Sequence, residues 1–223
     1  MTQMIHIECK AVLFDLDGVL IDSTAAIERV WTRWAIARGL DSEEVVAGAH
    51  GRPTLAMVQE YLPDSDHEKE SLEAERCEME DLEGVVACNG AKELLAALPG
   101  TGWTVVTSCS KDLAEARLLA VGMPIAPLMV TFSDVEQGKP HPEPYLKGAA
   151  RLKFPPSDCV VLEDSPAGVQ SGKAAGCRVI GLRTWCSERE LKAAGADWTI
   201  DSCASVSVLG CSGQVLRLVL DGC

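Results

Sequence analysis

Five short apolar runs place the tightest constraint on what this chain can fold into. They lie at residues 11–14, 103–107, 128–132, 159–162 and 177–182. Each run is continuous rather than alternating, which is typical of strands buried on both faces of a parallel sheet. Helical patterns between the later runs begin after Ser110 and at Pro166, and they end at Gly122 and Gly176. This alternation predicts an α/β fold in which helices cover both faces of a parallel sheet.

The interval between the first two runs is roughly 80 residues, far longer than one crossover connection needs. Much of the interval is helical, and an apolar stripe at helical spacing is formed by Ile27, Val30, Trp31, Trp34 and Ala35. Asp41 and Glu44 have the spacing of a capping box for a second helix. Residues 53–62 and 67–82 supply two further helical segments. The interval therefore predicts a small, inserted helical domain.

These helices define the predicted domain organisation. Residues 22–88 form the helical insertion, and residues 1–21 and 89–223 form the core, which the chain re-enters through a helix at 89–98. The tail leaves two options open, because residues 215–220 fit either an edge strand or a terminal helix.

The formal net charge of −13 argues against nucleic acid as a partner, because phosphate backbones require a basic protein surface. The segment 64–83, with ten acidic residues against Lys69 and Arg76, carries much of this charge, and a solvated helix face is its simplest interpretation.

No run approaches the roughly 20 apolar residues of a membrane helix. The N-terminal region lacks an apolar signal segment, and the ten cysteines show no CxxC spacing. We therefore expect a cytoplasmic, monomeric protein with reduced cysteines, without zinc and without a membrane partner.

The strongest chemical signal is the sequence Asp15-Leu16-Asp17-Gly18, directly after the first apolar run. Ligands of open α/β sheets bind beyond the carboxyl ends of the strands. Two carboxylates at this position, two residues apart, can hold one hard cation and leave an oxygen for nucleophilic attack. On its own, the pattern also fits a calcium-binding loop or a simple turn.

Three further groups of polar residues follow later in the chain. Thr107-Ser108 ends the second run, where a hydroxyl and the following backbone N–H groups can bind phosphate oxygens. Lys139 lies in a Pro-rich loop, where a solvated surface lysine is the alternative interpretation. Glu163-Asp164 ends another run, and adjacent carboxylates there are unfavourable unless a cation offsets them. Because every group follows a candidate strand, together they predict one active site.

These motifs resemble the four ordered motifs of the haloacid dehalogenase (HAD) superfamily. The resemblance rests on Asp15-Leu16-Asp17-Gly18, Thr107-Ser108, Lys139-Pro140 and Glu163-Asp164, and it covers almost the whole chain. It implies a Rossmann-like HAD core with a parallel sheet. The helical insertion after the first motif is similar to the C1 cap of the subfamily that contains sugar phosphatases and β-phosphoglucomutase.

The resemblance also implies a role for each motif residue. Asp15 would be the nucleophile that forms an aspartyl-phosphate, and Asp17 would be the general acid and then the general base. The residues assigned to Mg²⁺ are Asp15, Asp17 (through its backbone carbonyl), Glu163 and Asp164. Glu163 would be a direct ligand or would support one through water. The residues assigned to the phosphoryl group are Ser108, Cys109 and Lys139, and for Cys109 the backbone is expected to matter more than the thiol.

Local sequence narrows the implied substrate to a small phosphorylated metabolite. Residues 26–31, 50–52, 106–108 and 163–168 resemble those of broad-specificity sugar phosphatases and of 2-deoxyglucose-6-phosphate and glycerol-3-phosphate phosphatases. A hexose or polyol phosphate is therefore the implied substrate class. The candidate substrate-binding residues of the cap are His50, Gly51 and Arg52. The alternative for these three residues is a turn with solvated side chains.

Two other functions are compatible with the same fold, a phosphosugar mutase and a non-catalytic binding protein. A β-phosphoglucomutase-like mutase would use the same intermediate, but it needs a cap histidine where this chain has Ile27. A non-catalytic sugar-phosphate-binding protein of the same fold is expected to have lost charged groups of the site. This chain keeps Asp15, Asp17, Lys139 and Asp164. The sequence therefore favours a Mg²⁺-dependent phosphatase that acts on a small phosphate ester.

Overall fold

The computed structural model describes residues 4–49, 51–126, 128–212 and 214–222. The strands in these residues are β1 Ile5–Cys9, β2 Ala11–Phe14, β3 Ile21–Asp22, β4 Val86–Ala87, β5 Trp103–Val105, β6 Cys159–Glu163, β7 Arg178–Leu182, β8 Trp198–Ile200, β9 Val206–Ser212 and β10 Val215–Leu220. The α-helices are α1 Thr24–Ala37, α2 Ser42–Ala49, α3 Thr54–Tyr61, α4 His67–Glu80, α5 Ala91–Ala97, α6 Lys111–Ala120, α7 Glu143–Arg151, α8 Pro166–Ala174 and α9 Glu188–Ala194.

Five of the strands form a parallel sheet in the order β5-β2-β6-β7-β8. Every residue of β2 and β6 is buried, as their continuous apolar sequences predict. Val12 and Phe14 belong to one apolar cluster and Ala11 and Leu13 to another, because successive side chains of a strand point to opposite faces. The predicted α/β fold with a Rossmann-like parallel sheet is confirmed, although β8 was not predicted.

Two core helices begin at the predicted N-terminal signals. The Ser110 hydroxyl accepts a hydrogen bond from the Leu113 N–H at 3.4 Å, and α6 starts directly after Ser110. The Ser165 hydroxyl accepts one from the Gly168 N–H at 3.1 Å, and α8 starts at Pro166. Each cap satisfies a backbone donor that has no partner within its own helix.

The apolar run at 128–132 is not a strand, so that prediction is wrong. Within the described part of this run, pairing is limited to one isolated bridge between Val106 and Val130. The Asp134 carboxylate accepts hydrogen bonds from the Thr131 N–H at 2.8 Å and from its hydroxyl at 2.9 Å. These bonds start a 3₁₀ turn at Phe132–Asp134, which competes with strand pairing and ends it.

A second, antiparallel sheet has the strand order β1-β10-β9. The tail segment that the sequence left open is therefore strand β10, and it lies in the middle of this sheet rather than at an edge. Strand β1 was not predicted, although buried Ile7 and Cys9 alternate with exposed His6 and Glu8. Such alternation is the usual signal of a half-buried strand.

Helices α1–α4 lie between β3 and β4, which form an antiparallel pair. All five residues of the predicted apolar stripe of α1 are buried, and all but Val30 form a cluster with residues of α2, α3 and α4. Asp41 Oδ1 accepts hydrogen bonds from the backbone N–H groups of Glu43 and Glu44 at the start of α2. We call residues 22–88 the cap, and its boundaries stay a prediction from the sequence.

Helix α4 carries most of the acidic segment, but it is not a uniformly solvated face. Its buried residues are Ser71, Ala74 and Glu78, and its Glu70 pairs with Arg38 of α1. Helix α4 packs against α1 and α3 and also against α6 of the core, where Glu78 meets Arg117. The solvated-face interpretation is therefore wrong for Glu78, which is 5% exposed.

None of the helices in the described ranges has the length and hydropathy needed to cross a bilayer. Among the described residues, Cys9, Cys159, Cys177 and Cys203 are free thiols that lie buried. Such cysteines pack as small apolar side chains.

Candidate active site

The predicted motif residues come together at the carboxyl end of the parallel sheet. Asp15 follows β2 directly, Ser108 follows the end of β5, and Glu163 is the last residue of β6. Lys139 reaches the same place from the loop before α7, and its Nζ lies 2.8 Å from Asp15 Oδ1. Parallel strands end at one edge of the sheet, which is why groups far apart in sequence meet there.

The loop after β2 requires glycine at position 18. Gly18 has a φ of +78°, which is unfavourable for residues with a side chain. A Cβ at this position would lie only 1.7 Å from Asp164 Oδ2. The missing side chain therefore lets the Asp164 carboxylate approach the loop that carries Asp15 and Asp17.

Lys139 is buried between two carboxylates. Its Nζ donates to Asp15 Oδ1 at 2.8 Å and to Glu163 Oε1 at 2.6 Å, and its side chain is 5% exposed. Burial alone would lower the pKa of Lys139, but the Asp15 and Glu163 carboxylates outweigh it and raise the pKa above its ordinary value. The lysine is therefore protonated, and the interpretation as a solvated surface residue is wrong.

Both oxygens of Glu163 accept hydrogen bonds from protein donors. Oε1 accepts from Lys139 and from the Tyr145 hydroxyl at 2.9 Å. Oε2 accepts from the backbone N–H groups of Asp164 and Ser165 and from the Ser165 hydroxyl, each at 3.0 Å. Glu163 is thus a fixed group that ties the Lys139 ammonium to the start of α8.

Three buried carboxylates, those of Asp15, Glu163 and Asp164, offer oxygen atoms within 4.8 Å of one another. Burial raises the pKa of Asp15 to about 7 against the opposing charge of Lys139. Burial, followed by the Glu163 and Asp15 carboxylates, raises the pKa of Asp164 well above its ordinary value. One lysine leaves an excess of negative charge, so this donor set fits a divalent cation that prefers oxygen ligands.

Asp17 is held by three neighbours. The Ser23 hydroxyl donates to its Oδ1 at 2.6 Å, and Arg117 Nη1 lies 3.0 Å from both of its oxygens. The Cys109 thiol donates to Oδ2 at 3.1 Å. Burial and the Asp17 carboxylate raise the pKa of this thiol well above its ordinary value, so it stays protonated.

Ser108 and Cys109 both line the cavity that Asp15 and Asp17 border. The Cys109 backbone N–H donates to the Thr107 hydroxyl at 3.1 Å, and its thiol contacts Asp17. The assignment of both residues to phosphate binding stays a prediction.

Sequence reasoning missed Ser23, Tyr145, Arg117 and Glu78. Arg117 Nη2 donates to Glu78 Oε2 at 2.5 Å, which links α6 of the core to α4 of the cap. Burial raises the pKa of Glu78 against the opposing charge of Arg117. A signal was present, because Arg117 shares the buried face of α6 with Leu113.

The cap closes over the site. The cavity bordered by Asp15, Asp17 and Ser108 has a volume of about 30 Å³, room for roughly one or two water molecules. Ile27 and Trp31 of the cap line the same cavity. The arrangement is therefore a closed one.

The predicted substrate-binding loop of the cap is described in part. His50 lies outside the described residues. Gly51 and Arg52 line the cavity, and the Arg52 guanidinium pairs with the Glu60 carboxylate. A Cβ on Gly51 would lie 3.7 Å from Ser165, so this loop approaches the core beside the acidic motif.

Comparison with known proteins identifies the family. Residues 9–176 match the family model of haloacid dehalogenase-like hydrolases. Hexitol phosphatase A of Escherichia coli (strain K12) is 44% identical over 179 residues, which cover 78% of this chain and 83% of that protein. Glycerol-1-phosphate phosphohydrolase 2 of Saccharomyces cerevisiae is 36% identical over 226 residues, covering 96% and 90%. The crystal structure of a HAD hydrolase, family IA, variant 3 from Entamoeba histolytica matches with a TM-score of 0.77 at 26% identity, covering 88% of this chain and 95% of that one. The chain therefore belongs to the haloacid dehalogenase-like hydrolases, as its four sequence motifs predicted.

Proposed function

We propose that this protein is a Mg²⁺-dependent phosphatase that hydrolyses a small sugar or polyol phosphate through an aspartyl-phosphate on Asp15. The observation that carries the proposal is the pairing of Asp15 with Lys139 inside a cluster of buried carboxylates, with Asp17 two residues further on. The two curated relatives act, by their names, on a hexitol phosphate and on glycerol-1-phosphate. Their names support a polyol phosphate as the substrate class.

In the first step, a carboxylate oxygen of Asp15 attacks phosphorus, and the bond between phosphorus and the ester oxygen breaks. Lys139 holds Asp15 Oδ1 and offsets its charge. Asp17 enters this step protonated and gives its proton to the departing oxygen, so the alcohol leaves uncharged. Phosphoryl transfer depends chiefly on such positioning and charge neutralisation.

In the second step, Asp17 is a carboxylate and accepts a proton from a water molecule. The water oxygen attacks phosphorus, the bond from phosphorus to the Asp15 oxygen breaks, and inorganic phosphate leaves. Asp17 is then protonated again for the next cycle. Ser108 and Lys139 are proposed to bind the phosphoryl oxygens, while the closed cap excludes bulk water.

Mg²⁺, when bound, would neutralise charge on the phosphoryl oxygens. We assign it to the Asp15 and Asp164 carboxylates and the Asp17 backbone carbonyl, because the excess negative charge of this cluster suits a divalent cation. Glu163 oxygens already accept hydrogen bonds from Lys139, Tyr145 and backbone N–H groups. We therefore assign Glu163 to supporting the site rather than to direct ligation.

Phosphate release from a panel of hexose, hexitol and glycerol phosphates, with Mg²⁺ and with a chelator, tests the proposal. We expect chelator-sensitive release that favours the polyol phosphates. Asp15→Asn should abolish it, whereas Asp158→Asn, at the opposite end of β6, should retain it. Acid-quenched wild-type protein should carry one phosphoryl group on Asp15 by mass spectrometry.

Two results of this experiment would change the assignment. Normal turnover by Asp15→Asn protein would refute Asp15 as the nucleophile. An isomerised monophosphate in place of inorganic phosphate would establish the mutase instead.

A further inference from the structure

We propose that Arg117 is a positioning residue for Asp17, and that Glu78 of the cap holds Arg117 in place when the cap is closed. Cap closure and the orientation of Asp17 are then linked through one guanidinium group. The inference rests on the proposed function for the role of Asp17 as an acid. The link between cap and core rests on geometry alone.

The Arg117 guanidinium joins the two domains. Its Nη1 donates to Oδ1 and Oδ2 of Asp17 at 3.0 Å, and its Nη2 donates to Glu78 Oε2 at 2.5 Å. The Arg117 side chain is 2% exposed and that of Glu78 is 5% exposed. A buried cationic donor that contacts both oxygens of a carboxylate, as Nη1 does here, restricts the rotation of that carboxylate.

Packing of α6 does not explain an arginine at this position. A buried ion loses its favourable hydration, and the neighbouring Leu113, Ala114 and Leu118 are all buried. An apolar side chain at position 117 would avoid that loss. The buried Nε of Arg117 has no hydrogen-bond partner within the described part of the chain. The guanidinium is therefore bound through Nη1 and Nη2, by Asp17 and Glu78 and by the Cys109 sulfur at 3.3 Å.

We expect the bond between Arg117 and Glu78 to break when the substrate enters. The cavity of about 30 Å³ is too small for a polyol phosphate in this arrangement, so the cap has to move to admit one. Opening takes Glu78 away with α4 and leaves Arg117 and Asp17 together in the core. Closure restores the second anchor of the guanidinium, which fixes Asp17 once the substrate is enclosed.

Arg117→Met tests the positioning role through the leaving group. A hexitol phosphate releases an alkoxide that needs the Asp17 proton, whereas p-nitrophenyl phosphate releases a phenolate that is stable without it. The quantity to compare is kcat/KM, because the leaving group departs before the aspartyl-phosphate is hydrolysed. We expect a fall of about 10- to 100-fold with the hexitol phosphate, typical of a misplaced acid, and a much smaller fall with the aryl ester.

Conservative and double variants sharpen this test. Arg117→Lys should restore part of the loss, since it returns the charge without the planar group. Glu78→Gln should show a weaker form of the same leaving-group dependence. The double variant should be no worse than Arg117→Met alone, because the two residues act as one unit. A rise in KM alone, equal losses with both substrates, or additive losses in the double variant would overturn the positioning role.

Amide hydrogen exchange tests the link between the cap and the core without a measurement of enzyme activity. Helix α4 packs on α6, so Glu78→Gln should speed amide exchange in α6 by letting the cap open more often. Arg38→Met is the matched control, because Arg38 pairs with Glu70 inside the cap, with side chains 16% and 23% exposed. Arg38→Met should speed amide exchange within the cap only. Amide exchange in α6, and the ratio of kcat/KM for the hexitol phosphate to kcat/KM for the aryl ester, should stay unchanged.

The two proposals fail in different ways. Unchanged α6 exchange in Glu78→Gln would overturn the link between cap and core. A wild-type protein that releases phosphate from none of the esters would refute the proposed function, and the exchange of α6 would still decide the link.

Discussion

The Nζ of Lys139 lies 2.8 Å from Oδ1 of Asp15, and both side chains are more than nine-tenths buried. The ammonium is thus a fixed positive charge beside the proposed nucleophile. Removing one partner of such a buried pair is far more destabilising than the net contribution of the pair suggests, because the other charge is left uncompensated.

Lys139→Met should therefore abolish turnover and lower the free energy of unfolding by about 3–5 kcal/mol. Urea unfolding in the presence of a chelator measures the second effect without a contribution from metal. Lys173→Met is the control, since Lys173 also pairs with an aspartate at 2.8 Å, but with side chains 34% and 30% exposed. Lys173→Met should lower the free energy of unfolding by less than about 1 kcal/mol. Similar losses in both variants would show that burial does not decide the effect.

Tyr145→Phe removes one hydroxyl from the site and leaves the buried ring in place. That hydroxyl donates to Glu163 Oε1 at 2.9 Å, and a hydrogen bond to a charged group contributes about 1.5–3 kcal/mol. We expect the free energy of unfolding, measured with urea, to fall by that amount. We also expect a lower kcat, because Glu163 accepts a hydrogen bond from Lys139 as well. Tyr61→Phe is the control, because the Tyr61 hydroxyl bonds an exposed backbone carbonyl at 3.2 Å. Its unfolding curve and kcat should match the wild type.

Gly168→Ala should be destabilising, although alanine is favoured over glycine inside a helix by about 1 kcal/mol. A Cβ on Gly168 would lie 1.7 Å from Glu163 Oε1, so either the carboxylate or α8 must move. We expect a lower melting temperature and reduced phosphate release. Gly100→Ala, whose Cβ would meet no atom within 4 Å, should change neither. A more stable Gly168→Ala protein would mean that Glu163 is not fixed as described.

The sheet and the meeting of the four motifs could be predicted because they depend on local patterns. Continuous apolar runs specify strands buried on both faces, and parallel strands end at one edge. Asp15 and Glu163 follow or end such strands, so their proximity follows from the fold class. The strand predicted at 128–132 is absent, because the hydrogen bond from the Thr131 N–H to the Asp134 carboxylate ends the strand pairing after a single bridge.

Arg117 and Glu78 could not be paired from the sequence, because their contacts are distant along the chain. Arg117 meets Asp17 across 100 positions and Glu78 across 39. A charged residue on the buried face of an amphipathic helix can be recognised by its spacing. Which charge it meets depends on how α4 of the cap packs on α6 of the core, and no local pattern specifies that packing.

Asp81 joins the end of α4 to α1, since it accepts hydrogen bonds from Arg29 and Arg33 at 2.6 Å each. The hydrogen bond from Arg29, with a further one from Arg33, lowers the pKa of Asp81 from 3.8 to about 2 against the opposing effect of burial. Because this pKa is lower in the folded state, the stabilisation is complete above pH 3.8 and disappears as the pH falls through about 2. Asp81→Asn should therefore unfold at lower urea than the wild type at neutral pH, with a difference that shrinks in acid. Asp201→Asn, which loses a pair with Arg183 at a 77% exposed carboxylate, should show little difference at any pH. A gap between wild type and Asp81→Asn that persists near pH 2 would assign the effect to packing rather than to charge.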